Sequence, residues 1–362
     1  MNKKMNRRTF LKCSAAVGAT TAISGFPTVA KGAAKEITWK IQSAWPAGCE
    51  MNTVAKFFFD LVQYYSGGRI KYTFHTSGEI VPAFEVWDAV SKGVLDGGHA
   101  CNCYTIGKCW ASAMFCSVPT PVGPPGDVMK ILWLYEGGGN KLHDEMVGKY
   151  YNVKGFPASP ISTEVFLYSE KKISSMAELK RMKIRSTGIR AATFNEAGVS
   201  TVSLPGGELV PAMQKGVVDA VEYSSLWWDW PMGFSDVTKY IYFSKEPMVG
   251  VLYGFINKNR WNELTPDLKK AVEMAGFDAC LWCAERTQYE DTKYARNIAE
   301  KNKIPVLWLP EDIEKELAAS VKRVFEKKSK TDPEVKQILG SWQSFYIKDN
   351  WLKYRQFLQP CQ

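Results

Sequence analysis

From residue 37 onward, apolar and polar positions follow three patterns in turn. Residues 37–43 read as a strand, 54–65 set apolar residues at helical spacing, and 69–75 alternate as a strand does. The same order returns later, with strand 182–186, helix 189–197 and strand 200–204. Each set is followed by one phrase. It reads Ala89-Val90-Ser91-Lys92-Gly93-Val94-Leu95-Asp96 the first time and Ala212-Met213-Gln214-Lys215-Gly216-Val217-Val218-Asp219 the second. Each phrase predicts a helix with Lys in its last turn, a Gly stop in left-handed backbone, and then a short buried strand.

Two β-α-β-α-β runs predict an α/β protein of two similar lobes, each a mostly parallel sheet flanked by helices. Two further β-rich apolar runs, 163–169 and 249–257, stand where the chain would cross between lobes, and crossing strands make hinges. The expected division is a first lobe of 35–160 plus about 249–290, and a second of 161–248 plus C-terminal helices from about 291 to 362. From Thr265 the chain reads as helices, with Pro310 and Pro333 near helix starts. The aromatic tail 342–362 is amphipathic and offers a surface for the other lobe or for a second copy in a homodimer. In such sheets ligands sit beyond the carboxyl ends of the strands, which directs attention to 43–45, 99–104, 185–188 and 222–230.

The N-terminus changes the charge picture. Asn6-Arg7-Arg8-Thr9-Phe10-Leu11-Lys12, a mildly apolar stretch and small residues before about 34 form a twin-arginine export signal, removed on the way to the periplasm. Residues 1–34 carry six of the 46 basic residues and none of the 37 acidic ones, so the formal charge falls from +9 to +3. A nucleic-acid partner is thereby set aside. No segment reaches the ~20 apolar residues of a membrane span, so a soluble mature chain is expected. About 328 residues remain, enough for two lobes. Thirteen Trp fit an aromatic-lined cleft.

Catalytic signatures are lacking. His75, His99 and His143 are scattered, and neither metalloprotease, nucleophile-elbow, P-loop nor dinucleotide motifs occur. Gly137-Gly138-Gly139 reads as a turn after helix 129–136. Cys280-Leu-Trp-Cys283 lies in a helical run with no second pair at zinc spacing, so both thiols read as buried and inert. An enzyme is therefore not expected, although twin-arginine export also serves periplasmic enzymes.

The order of motifs along the mature chain resembles the solute-binding proteins of tripartite ATP-independent periplasmic (TRAP) transporters, in the branch that binds α-keto acids and related carboxylates. The resemblance rests on Trp39-Lys-Ile-Gln-Ser-Ala-Trp45, Gly67-Gly-Arg-Ile70, Asp96-Gly-Gly-His99, Tyr104-Thr-Ile-Gly-Lys108 and Trp133-Leu-Tyr-Glu-Gly-Gly-Gly139. It continues through Leu179-Lys-Arg-Met-Lys-Ile-Arg185, Gly206-Gly-Glu-Leu-Val-Pro-Ala212 and Gly216-Val-Val-Asp-Ala-Val-Glu-Tyr223. It implies a type II-like periplasmic binding protein that closes over a small organic carboxylate and delivers it to TRAP membrane permease subunits. Alternatives are a periplasmic enzyme and the binding protein of an ATP-driven transporter.

By the same resemblance, Arg185 grips the ligand carboxylate, a task that suits its planar, permanently charged fork. Trp45 and Tyr104 line the cleft from the first lobe. Glu222 and Tyr223 complete the site and, with Glu164 and Glu246, match the surroundings of a bound metal ion. Glu164 stands where the branch has Gln and Tyr223 where it commonly has Trp, while Trp227-Trp228-Asp229-Trp230 offers further bulk near the pocket. Three acids facing one Arg and an anionic ligand leave surplus negative charge. Either one acid stays protonated or a hard cation, Na⁺ or Ca²⁺, sits among the oxygens. No organic cofactor is implied.

Overall fold

The computed structural model describes residues 36–119, 122–123, 126–161, 164–245 and 248–346. The leader, Glu246 and the tail from 347 onward lie outside these residues.

Two six-stranded sheets, both flanked by helices, organise the chain. In the first, β1 (Ile37–Ser43) pairs in parallel with β2 (Ile70–His75) and β3 (Gly97–Ala100). In the second, β7 (Lys183–Arg185) pairs in parallel with β8 (Ser200–Val202) and β9 (Ala220–Val221). The helices predicted between them are present as Met51–Tyr65 and Gly188–Glu196.

The repeated phrase is a structural joint. Gly93 and Gly216 take φ of +77° and +67°, conformations that cost glycine nothing. Val94 N–H donates back to Ala89 O at 2.9 Å, and Val217 N–H to Ala212 O at 2.9 Å, closing both helices in the same way. The Asp96 carboxylate then accepts from Lys40 N–H at 2.8 Å, and that of Asp219 from Lys183 N–H at 2.9 Å. Each Asp thus ties the strand that follows it to the neighbouring one, which is why it recurs.

Antiparallel strands are added where the chain crosses. After β5 (Val153–Ile161) it enters the second sheet as β6 (Leu167–Ser169), and after β10 (Tyr240–Phe243) it returns as β11 (Met248–Asn257). β11 pairs antiparallel with β3, with β5 and with β4 (Val118–Pro119). β6 joins β9 and β10, both antiparallel. The alternation rules did not predict β5, because Pro157 and Pro160 lack the N–H a ladder uses. The strand forms nonetheless, with a register shift at Leu252/Tyr253. β12 (Val306–Trp308), flanked by Pro305 and Pro310, likewise interrupts the predicted all-helical C-terminus and pairs with β10.

Helix Pro266–Asn297 packs on β5 and on helix Met51–Tyr65, and its far end reaches helix Leu226–Asp229, where Asp291 accepts from Trp227 N–H at 2.8 Å. Cys280 and Cys283 are buried on it, and burial raises both thiols. No helix among the described residues is long and apolar enough to cross a membrane.

Candidate functional site

The carboxyl ends of β1 and β3 in one sheet, and of β7 and β9 in the other, converge on one pocket. Its lining brings together Trp45, Tyr104, Glu164, Arg185, Glu222 and Tyr223. Glu246 lies outside the described residues. Arg190 and three cysteines also line the pocket, and the sequence reading gave none of them a role in the site.

The second-sheet side carries the charge. Arg185, 1% exposed at the end of β7, donates through Nε and Nη2 to Leu204 O at 2.9 and 2.8 Å, and through Nη1 to Glu222 O at 2.6 Å. Its Nη1 also stands 4.0 Å from Glu222 Oε2, so the guanidinium, whose planar fork suits a carboxylate, faces the pocket beside a buried acid. The Tyr223 ring lies 5.1 Å from the guanidinium carbon. Glu222, whose N–H donates to Arg185 O at 3.0 Å, accepts from Ser186 Oγ at 2.9 Å through Oε2.

Arg190 alters the charge count. It sits on the buried stripe of helix Gly188–Glu196 with Ile189, Thr193 and Phe194. Its Nη2 pairs with Glu164 Oε2 at 3.2 Å, and its Nε stands 3.9 Å from Glu222 Oε1. Two buried arginines therefore face two buried glutamates among the described residues, one positive charge more than the sequence reading counted. Burial still dominates for the acids. It pushes Glu164 up to about 8, against the pull of Arg190 and with the nearby Glu222 adding to the rise. Glu222 is raised too, chiefly by burial. Glu164 has its place because Gly250 lacks a side chain; a Cβ there would stand 2.8 Å from Glu164 Oε1.

The first-sheet side is neutral. Trp45 Nε1–H donates to His99 Nδ1 at 2.8 Å, and His99 Nε2 lies 2.9 Å from Ser159 Oγ. Burial drives His99 down to about 3, so the imidazole is neutral and its proton is on Nε2, facing the serine. Tyr104 packs against Trp45 and Phe84, with ring centroids 6.1 and 4.7 Å apart. Four buried polar atoms of lining residues have no hydrogen-bond partner: Tyr223 Oη, Arg190 Nε, Ser224 Oγ and Ser117 Oγ. Unpaired polar atoms are costly in a closed protein, and a polar ligand would satisfy them.

This chain belongs to the bacterial extracellular solute-binding proteins, family 7, whose sequence pattern matches residues 41–331. A twin-arginine translocation signal matches residues 4–24, so the protein is exported by that route to the periplasm. The family is one of receptors, not of enzymes. A monocarboxylate 2-oxoacid-binding periplasmic protein of Nostoc sp. is 28% identical over 375 aligned residues, covering 99% of this chain and all of the relative. The fold is that of the TRAP periplasmic solute-binding proteins. A Pseudoalteromonas atlantica member, solved with sodium and pyruvate, superposes with a TM-score of 0.81 at 21% identity, covering 89% of this chain and 96% of its own. A Colwellia psychrerythraea member with calcium and pyruvate gives 0.81 at 22% identity over the same shares, 89% and 96%. A Bordetella bronchiseptica dimer with calcium and picolinate gives 0.80 at 22%, over 89% and 97%.

Proposed function

We propose that the protein is the receptor of a TRAP-type transporter for a small 2-oxo monocarboxylate of the pyruvate class, handed on to the membrane permease subunits without chemical change. The observation that carries this reading is that the buried guanidinium of Arg185 lines a pocket, together with Arg190, in which four buried polar atoms lack partners. A carboxylate suits the fork, and a 2-oxo group gives Arg190 Nε or Tyr223 Oη something to bond. The named ligands of the relatives belong to the same class.

A hard cation fits beside such a ligand. The two buried carboxylates, Glu164 and Glu222, with the ligand's own oxygens form the hard donor set that Na⁺ and Ca²⁺ take. Glu164 and Glu222 would hold the ion, with Tyr223 at its side and Glu246 as a further ligand; bound there, it neutralises negative charge next to the carboxylate. Lobes of 35–160 plus 249–290 and 161–248 plus 291–362 would close about the crossing strands β6 and β11. Pairing of two copies through the C-terminal tail belongs to the same reading, supported by the Bordetella dimer, and light scattering of a chain ending at residue 346 tests it.

The deciding measurement is calorimetric titration of chelator-stripped mature protein with pyruvate and longer 2-oxo acids, with Na⁺ or Ca²⁺ restored separately. Saturable one-to-one binding, tightened by one ion and with pyruvate recovered intact, is the expected result. No binding of any 2-oxo acid under any ion condition, or turnover of the ligand, overturns the reading.

A further inference from the structure

The neutral wall of the pocket is unusually rich in sulphur. Cys101 directly follows β3, Cys103 lies in the turn Asn102–Thr105, and Cys116 ends helix Ala113–Cys116. Their sulphurs all lie within 4.8 Å of one another, and those of Cys101 and Cys116 are 3.2 Å apart. Cys103 N–H donates to Cys101 Sγ at 3.1 Å, a bond that stabilises negative charge on sulphur. Met51 and Met248 line the same pocket.

Lys130 is an independent sign. It is fully buried, its ammonium donates to Cys116 O and to Val249 O at 3.2 Å, and it has no carboxylate partner within ion-pair distance among the described residues. A buried cation needs a nearby negative charge. The sulphurs of the cluster are close at hand, since a residue whose carbonyl Lys130 bonds is Cys116 itself.

We propose that Cys101, Cys103 and Cys116 form a three-sulphur site for a soft, thiophilic cation of the copper(I) class, separate from the hard-cation place between Glu164 and Glu222. Sulphur ligands select soft ions over Na⁺ or Ca²⁺. At metal–sulphur bonds of about 2.3 Å, a trigonal site sets its sulphurs roughly 4 Å apart, inside the span of this cluster, whereas a disulfide needs about 2.05 Å. Binding would release one proton from each thiol. Copper(I) with three thiolates then carries two negative charges, of which Lys130 offsets one.

The test is anaerobic titration of reduced mature protein with copper(I) in competition with bicinchoninate, read by loss of the indicator complex and by thiolate-to-copper absorption in the ultraviolet. One copper per chain is expected. Cys103→Ser and Cys116→Ser should each weaken it at least about tenfold, and the Cys280→Ser/Cys283→Ser pair should leave it unchanged. Melting curves of the copper-free variants confirm folding. Failure of the wild-type chain to withdraw copper overturns the proposal, as does equal uptake with all three cysteines replaced. Pyruvate calorimetry is a separate readout, so this inference and the carboxylate reading can fail independently.

Discussion

The two walls of the pocket are built from sheets of the same joint, yet they differ in chemistry. The second-sheet wall holds Glu164, Arg185, Arg190 and Glu222, all at most 8% exposed. The first-sheet wall holds Trp45, Tyr104 and the cysteines, backed by an imidazole that burial keeps neutral. A charged surface grips an anion, while a neutral one excludes water and strengthens the charges opposite by lowering the local dielectric. Recognition should therefore be concentrated on one wall, and substitutions on the two should differ in size of effect.

Arg185→Ala should have the largest effect. A hydrogen bond to a charged group contributes about 1.5–3 kcal/mol, so losing the paired grip should weaken pyruvate binding by at least about tenfold and up to more than a hundredfold. Arg185→Lys keeps the charge without the fork and should recover only part of the loss. Calorimetry of both variants measures this, and unchanged affinity in Arg185→Ala would remove the charged wall from recognition.

The next effect is a pH dependence. Glu164 titrates near 8 in the folded protein, above the ordinary 4.5, so the folded chain keeps a proton that the unfolded chain releases. Its contribution to stability is present below about 4.5 and is lost as pH rises to about 8, and the raised Glu222 adds in the same direction. While Glu164 is protonated, the arginines are less compensated, and an anion binds more readily. In chelator, pyruvate affinity should fall as pH rises through 8. Glu164→Gln should flatten both slopes, and restored Ca²⁺ should help most at high pH. A melting temperature and affinity with the same pH profile in Glu164→Gln and wild type would rule out Glu164 as the titrating group.

How much of this was legible depended on whether local pattern or tertiary context decides each feature. The joint around Asp96 and Asp219 was readable because its glycines and carboxylates act within one turn and one strand pair. The strand ends that converge on the pocket follow from the order of elements alone. Arg190 was missed because the face of a short helix that turns inward is set by what packs on it. The signal was there: Arg190 stands three and four residues before Thr193 and Phe194, on the buried stripe. The Cys101-x-Cys103 pair was passed over in favour of Cys280 and Cys283, because its third partner lies thirteen residues beyond Cys103 and meets it only in the fold. β5 was hidden by its prolines.

The smallest effect is expected from Trp45→Phe, which probes the neutral wall. Phenylalanine keeps an aromatic face toward Tyr104 but removes the indole N–H, leaving His99 Nδ1 buried without its donor. An orphaned buried acceptor costs about 1–3 kcal/mol, so the variant should melt at a lower temperature than the wild type. That cost falls on free and ligand-bound protein alike, because the bond to His99 lies behind the pocket surface. Pyruvate affinity should therefore drop by less than about tenfold, the effect of losing one charged hydrogen bond at the weak end of its range. Calorimetry beside a melting curve separates the two quantities. If Trp45→Phe weakened pyruvate as much as Arg185→Ala while melting normally, the indole would be a direct ligand contact, and the division of labour between the walls would be wrong.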